Sequence, residues 1–283
     1  MQFEFAGVLA VADGRYLARG GNGEESVLIV ETLAAPAPPS RRRRRPRQAE
    51  AGAPPATLPL ARVTAVRAYQ PFDSEDDAAR WLERVSGSED EVDALIAEAI
   101  GLLNRALHAH ATASADPRAV ELSSERAVKV RIGHGSGDEV ASGNFAAARE
   151  IDVWATGASG RRRRAEDLNP QQRIAAVLSG RERIDACETL LLRARADLDA
   201  GRDREAALQL RVGLEALLAE LPAAVPDPGH DEDMETLNER RGEAGEAANA
   251  ALRGELDAAA VQKVGELVEI CERVLRRRRV LGG

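Results

Sequence analysis

The stretch "LLLRARADLDAGRDREAALQLRVGLEALLAELP", residues 190–222, sets the character of the second half of the chain. Leu190, Leu191, Ala194 and Leu198 continue a stripe begun at Cys187, at the three- and four-residue spacing of a helix that buries one face. Gly201 ends that helix. A second stripe, Ala207, Leu210, Leu214, Leu217, Leu218 and Leu221, runs up to Pro222, which cannot continue a helix. Helices joined this closely pack antiparallel. Working outward, Pro170 after Asn169 opens the helical region at a first helical position. A weaker helix is expected over 233–252. A last one carries Val264, Leu267, Val268, Cys271, Val274 and Leu275 and ends in Arg276–Arg279, where positive charge suits the negative helix end. Residues 170–283 therefore read as an all-α antiparallel bundle.

Toward the N-terminus the period changes. "FAGVLAVA" and "RYLARG" flank Asp13-Gly14, the dipeptide of a tight hairpin turn, and "SVLIVETL" (26–33) makes a third strand entered through "GGNGEE". "LARVTAVRAYQPF" (60–72) makes a fourth, with an imperfect alternation of Val63 and Ala65 against Thr64 and Val66. Ser74 with Asp77 and Ser88 with Glu91 have capping-box spacing and start helices over 75–86 and 89–110. The second helix shows one wide apolar face of Val92, Leu95, Ile96, Ala99, Leu102, Leu103 and Leu107. In "AVKVRIG", Val128, Val130 and Ile132 alternate with Lys129 and Arg131, a half-buried strand. "VASGNFAAAR" (140–149) echoes "VADGRYLAR" (11–19). Either an old duplication or two convergent hairpins in an Ala/Arg-rich chain explains the echo, and convergence is preferred.

The fold class is thus α+β: an antiparallel sheet with a helical pair over 1–155, then the bundle. A disordered Pro/Ala/Arg linker at 34–57 interrupts the first part, and a Gly/Arg linker at 156–169 joins the two.

Composition narrows function by exclusion. Of 283 residues 44% are hydrophobic but only 3% aromatic, so the cores are aliphatic and platforms for stacking bases are scarce. A net charge of −8 argues against general adhesion to nucleic acid. Lys129 and Lys263 are the only lysines, and the Arg, Ala and Gly bias fits a GC-rich genome. Cys187 and Cys271 sit on apolar stripes, which suits a reducing cytoplasm and provides neither a disulfide framework nor a zinc site. The N-terminus lacks a signal-peptide pattern, and no run is suited to span a membrane.

Catalytic motifs are wanting. "RIGHGSGDEVASG" follows a strand as a phosphate loop would, yet no Lys-Ser/Thr pair follows and Gly143 suggests a hairpin turn rather than a helix. His134 within it is the histidine best placed for ligand approach. His108 and His110, two apart on a helix, face different ways and cannot share a metal unless the helix frays. His230 lies in an acidic, Pro-rich loop. The ten acids of 73–98 mostly crowd helix starts, where the dipole and solubility explain them. No G-x-S-x-G stands anywhere, and no metal or cofactor is implied.

The run Arg41, Arg42, Arg43, Arg44, Arg45 and Arg47 lies in Pro-Ala sequence without aromatic residues. It would hold phosphates by charge alone, and the acids of 73–98 compete for it, so it reads as a linker before it reads as a nucleic-acid grip.

Two local resemblances attach to the helices. In 190–222, "GRDREAALQL" resembles the turn and second-helix start of a tetratricopeptide hairpin. The same stretch resembles the two-helix core of HEPN domains, bundles that often dimerise and sometimes cleave RNA. Their Arg-to-His nuclease motif is missing, since "GEAGEAANAAL" follows Arg240 and Arg241, so that resemblance implies a non-catalytic version.

The expectation is a cytoplasmic, non-enzymatic interaction or scaffold protein. It would act through its bundle on a protein partner or a second copy. Leu208, Arg211 and Val212, off the main stripe of 203–221, mark the contact surface. The alternatives are nucleic-acid binding through Arg41–Arg47, Arg161–Arg164 and Arg276–Arg279, and an enzyme site near His134. The last requires a pocket with a carboxylate beside that histidine.

Overall fold

The computed structural model describes residues 1–20, 23–33, 58–152, 170–221 and 227–281. The chain is α+β and divides into two compact units, Met1–Ser159 and Gly160–Gly283.

The first unit is built on a six-stranded antiparallel sheet in the order β2-β3-β4-β1-β5-β6. Its strands are β1 Gln2–Ala6, β2 Gly14–Arg19, β3 Glu25–Leu33, β4 Leu60–Arg67, β5 Ala127–His134 and β6 Ala147–Glu150. Helices α1 Glu75–Ser86 and α2 Glu89–Ser114 lie between β4 and β5 in sequence. Ser74 and Ser88 cap them by accepting from the Asp77 and Glu91 amides. Leu82, Val85, Val92, Leu95, Ile96, Leu103 and Leu107 on the helices share one core with Phe3, Phe5, Leu28, Val30, Val63, Val130 and Ile132 on the sheet.

Several local expectations give way to long-range pairing. Asp13-Gly14 does not join two paired strands: β1 pairs with β4 and β5, and β2 pairs with β3. Gly7, at φ +101°, turns the chain away as β1 ends, and the Asp13 carboxylate accepts from the Thr32 amide at 2.9 Å and its hydroxyl at 2.7 Å. Val11 in the crossing segment is buried in the core instead of extending a strand. The fourth strand stops at Arg67 rather than running to 72, and α2 continues to Ser114. Val63 and Thr64 of β4 are both buried, which explains the poor alternation of a strand covered on both faces.

Val128 is 61% exposed because the β1–β5 register breaks there: Glu4 faces Lys129, while Phe5 faces Ala127. The bulge turns Ala127 into the core and expels Val128. The expected hairpin over 140–149 is a short helix α3, Gly137–Ala141, followed by edge strand β6.

The second unit is a helical bundle: α4 Pro170–Leu178, α5 Ala186–Asp199, α6 Asp203–Glu220, α7 Pro228–Glu239, α8 Arg241–Arg253 and α9 Ala258–Leu281. The single weak helix expected over 233–252 is two helices that meet at Arg240, whose guanidinium donates to Glu243 and Glu266 at 3.0 Å each. His230 belongs to the first turn of α7 and is 1% exposed, not in a loop. The bundle core gathers Leu191, Leu210, Leu214, Leu217, Leu237, Leu267 and Val268 with both cysteines. Ala206, Ala207, Ala244, Ala248 and Ala251, all 0–1% exposed, let α6 and α8 approach closely. Burial pushes both thiols up to about 12, so neither is a ready nucleophile.

Candidate functional site

Helix α4 is amphipathic, with Ile174, Val177 and Leu178 at i, i+3 and i+4, yet none of its residues is buried. Polar bonds fasten it. Arg173 Nη1 and Nη2 donate to Glu188 Oε1 and Oε2 at 2.8 and 2.5 Å, and Arg173 Nε lies 3.5 Å from Glu182. Arg279 of α9 donates to Glu188 Oε1 at 2.9 Å, and the Asp185 amide donates to Oε2 at 3.3 Å. Glu188 is 8% exposed and joins three helices. Burial would raise its carboxyl, but the hydrogen bonds and charges of Arg173 and Arg279 outweigh that and hold it down at about 2.

Beside this junction a cavity of 770 Å³ lies open between α4, α5 and α9. Ile174, Leu178, Ile184 and Leu192 line it at 57%, 83%, 59% and 72% exposure, with Leu191 and Leu275 beneath. The charged lining is Arg173, Arg276 and Arg279 with Glu188 and Glu272. Glu272 pairs with Arg195 at 2.9 Å, whereas Arg276 has no ion pair among the described residues.

The residues expected at the contact surface lie elsewhere on the bundle, on α6. Leu208 packs against the core, Val212 is 55% exposed, and Arg211 is exposed and donates to Asn249 Oδ1 at 3.2 Å. None of the three lines the cavity. The groove residues carried one sequence signal: three consecutive leucines, 190–192, cannot all face one core.

Among the Arg runs, 41–47 and 161–164 lie outside the described residues. In the third, Arg277 is bonded to Asp233 at 2.5 Å, Arg278 to Asp185 at 2.7 Å and Arg279 to Glu188 at 2.9 Å, so most of its charge is engaged within the bundle.

No protein-family model matches the chain, nor does a curated protein or a solved structure. The likenesses of 190–222 therefore carry no family assignment.

His134 ends β5, edge-on to Phe72 with centroids 6.3 Å apart, and lines a cavity of 1190 Å³ whose wall includes Glu98. Its Nε2 is inaccessible and has no hydrogen-bond partner. His108 and His110 lie apart from that wall, on the last turns of α2. Among the described residues no group of three or more His, Cys, Asp or Glu is placed to hold a metal, and no helix is long and apolar enough to cross a membrane.

Proposed function

We propose that this is a non-catalytic interaction protein whose bundle receives an amphipathic helix of a partner, bearing carboxylates on its flanks, between α4, α5 and α9. The observation that carries the reading is the exposure of Ile174, Leu178, Ile184 and Leu192 around one groove. Covering an aliphatic side chain contributes about 1.5–3 kcal/mol, so four support roughly micromolar affinity once association and ordering are deducted. Charge favours an acidic partner. Three arginines face two glutamates in the groove of a chain whose net charge is −8, and Arg276 has no ion pair among the described residues. A second copy docking groove to groove would bring those arginines together.

The test uses a synthetic helix with leucines at i, i+3, i+4 and i+7 and glutamate flanks, beside a twin with lysine flanks, titrated into the full chain by fluorescence anisotropy. The glutamate peptide binds at least about tenfold tighter at low salt, and Leu192→Asp or Ile174→Asp abolishes binding with the circular dichroism unchanged. Equal binding of both peptides, or of either to the variants, overturns the reading. A dimer that Leu192→Asp dissociates in sedimentation identifies a second copy as the occupant instead.

A further inference from the structure

We propose that the α+β unit contains a binding site for a protonated organic amine, in the cavity at the end of the sheet beside His134. Strands β4 and β5, which flank β1, end at Arg67 and His134. Both residues line the 1190 Å³ cavity. Its size exceeds the roughly 300–1,000 Å³ of ordinary small-molecule sites, so a drug-sized ligand fits without rearrangement.

The lining has an unusual composition for this chain. Of eight aromatic residues in the sequence, Tyr69, Phe72, Trp81 and Phe145 line this cavity. The sheet core holds Phe3 and Phe5 with Trp81 packed against it, whereas Tyr69, Phe72 and Phe145 stand outside that core. Phe72 and Trp81 lie 5.3 Å apart with rings inclined at 51°, and Phe72 is 43% exposed. Partly open ring faces of this kind attract an organic cation through their negative quadrupole.

The charges agree. Arg67 is bonded to Glu98 and Arg15 lies 3.2 Å from Asp138, so these pairs are internally neutral. Of the remaining lining charges, Glu24 and Glu75 have no ion pair among the described residues, Glu139 accepts from Ser136, and Arg105 stands against them. The Met1 ammonium donates to Ala65 O at 3.0 Å and is pushed down to about 6, by burial first and then by Arg67, so it adds little positive charge at neutral pH. The unassigned charge of the cavity is therefore negative.

The probe is phenethylamine, titrated calorimetrically into the full chain beside phenethyl alcohol and phenethyl-trimethylammonium. The amine and its quaternary analogue each bind at least about tenfold tighter than the alcohol, and Phe72→Ala weakens both by about tenfold. Phe72 is exposed enough that its truncation leaves the fold intact, which circular dichroism checks. Alcohol binding as tight as amine binding overturns the cation assignment. No saturation by about 10 mM amine, or affinity indifferent to Phe72→Ala, overturns the site.

Discussion

Arg173 donates through both terminal nitrogens to the two carboxylate oxygens of Glu188, while Arg279 donates to Oε1 of the same carboxylate. One buried acid thus ties α4, α5 and α9, and α4 depends on it because none of its own residues is buried. Glu188→Gln leaves two guanidinium groups facing an amide and lowers the bundle's stability by about 2–4 kcal/mol, measured by urea unfolding. Amide exchange over Pro170–Leu178 rises most, since that helix has little else to hold it.

The same carboxyl sets an acid limit. Its folded value of about 2 lies below the ordinary 4.5, so its contribution is complete above about pH 4.5 and is lost as pH falls toward 2. That difference corresponds to about 3 kcal/mol. The stability gap between the native protein and Glu188→Gln therefore narrows over that window, read from urea midpoints between pH 7 and pH 2.5.

Leu210 and Val212 are near neighbours on α6 with opposite environments, 0% and 55% exposed. Leu210→Ala empties core volume and lowers stability by about 2–5 kcal/mol. Val212→Ala changes it by no more than about 0.5 kcal/mol. Chemical denaturation of the two variants side by side checks both values.

Gly133 has no room for a methyl group. A Cβ there would meet Ala147 O at 2.5 Å, Phe145 Cδ1 at 2.7 Å and Ala148 Cβ at 2.8 Å. Gly133→Ala therefore pries β6 from β5 and lowers the stability of the first unit by at least about 1–3 kcal/mol. Gly137→Ala, where nothing lies within 4 Å, is the control and changes little. Exchange protection at Ala147–Glu150 reports the difference.

Helices were legible because their signals are local. Serines at 74 and 88 and stripes such as Leu210, Leu214 and Leu217 specify a start and a buried face within a few residues. Strand pairing was not, because Asp13-Gly14 has a hairpin's composition while the partner that captures Asp13 is Thr32, across the β2–β3 pair. Acidic, Pro-rich surroundings suggested a loop at His230, but the helix forms and its first turn is buried. The groove was half visible. Ile174, Val177 and Leu178 show a periodic face, but whether a face is covered depends on tertiary packing. Likewise Arg277–Arg279 read as charge for a helix end, and their acids lie 44 to 93 residues away.

The central position of β1 has a kinetic consequence. Gln2 bonds side chains 62 and 129 residues further along, Thr64 and Arg131, so the middle of the sheet closes only after two long chain segments are brought back. The β2–β3 pair is local and assembles early, with β4 added to its edge. As the chain emerges during synthesis, residues 2–6 have no complete berth until 127–134 has followed. Until then the edge of β1 that β5 covers is open to other chains, and chaperone demand and aggregation should concentrate in that interval.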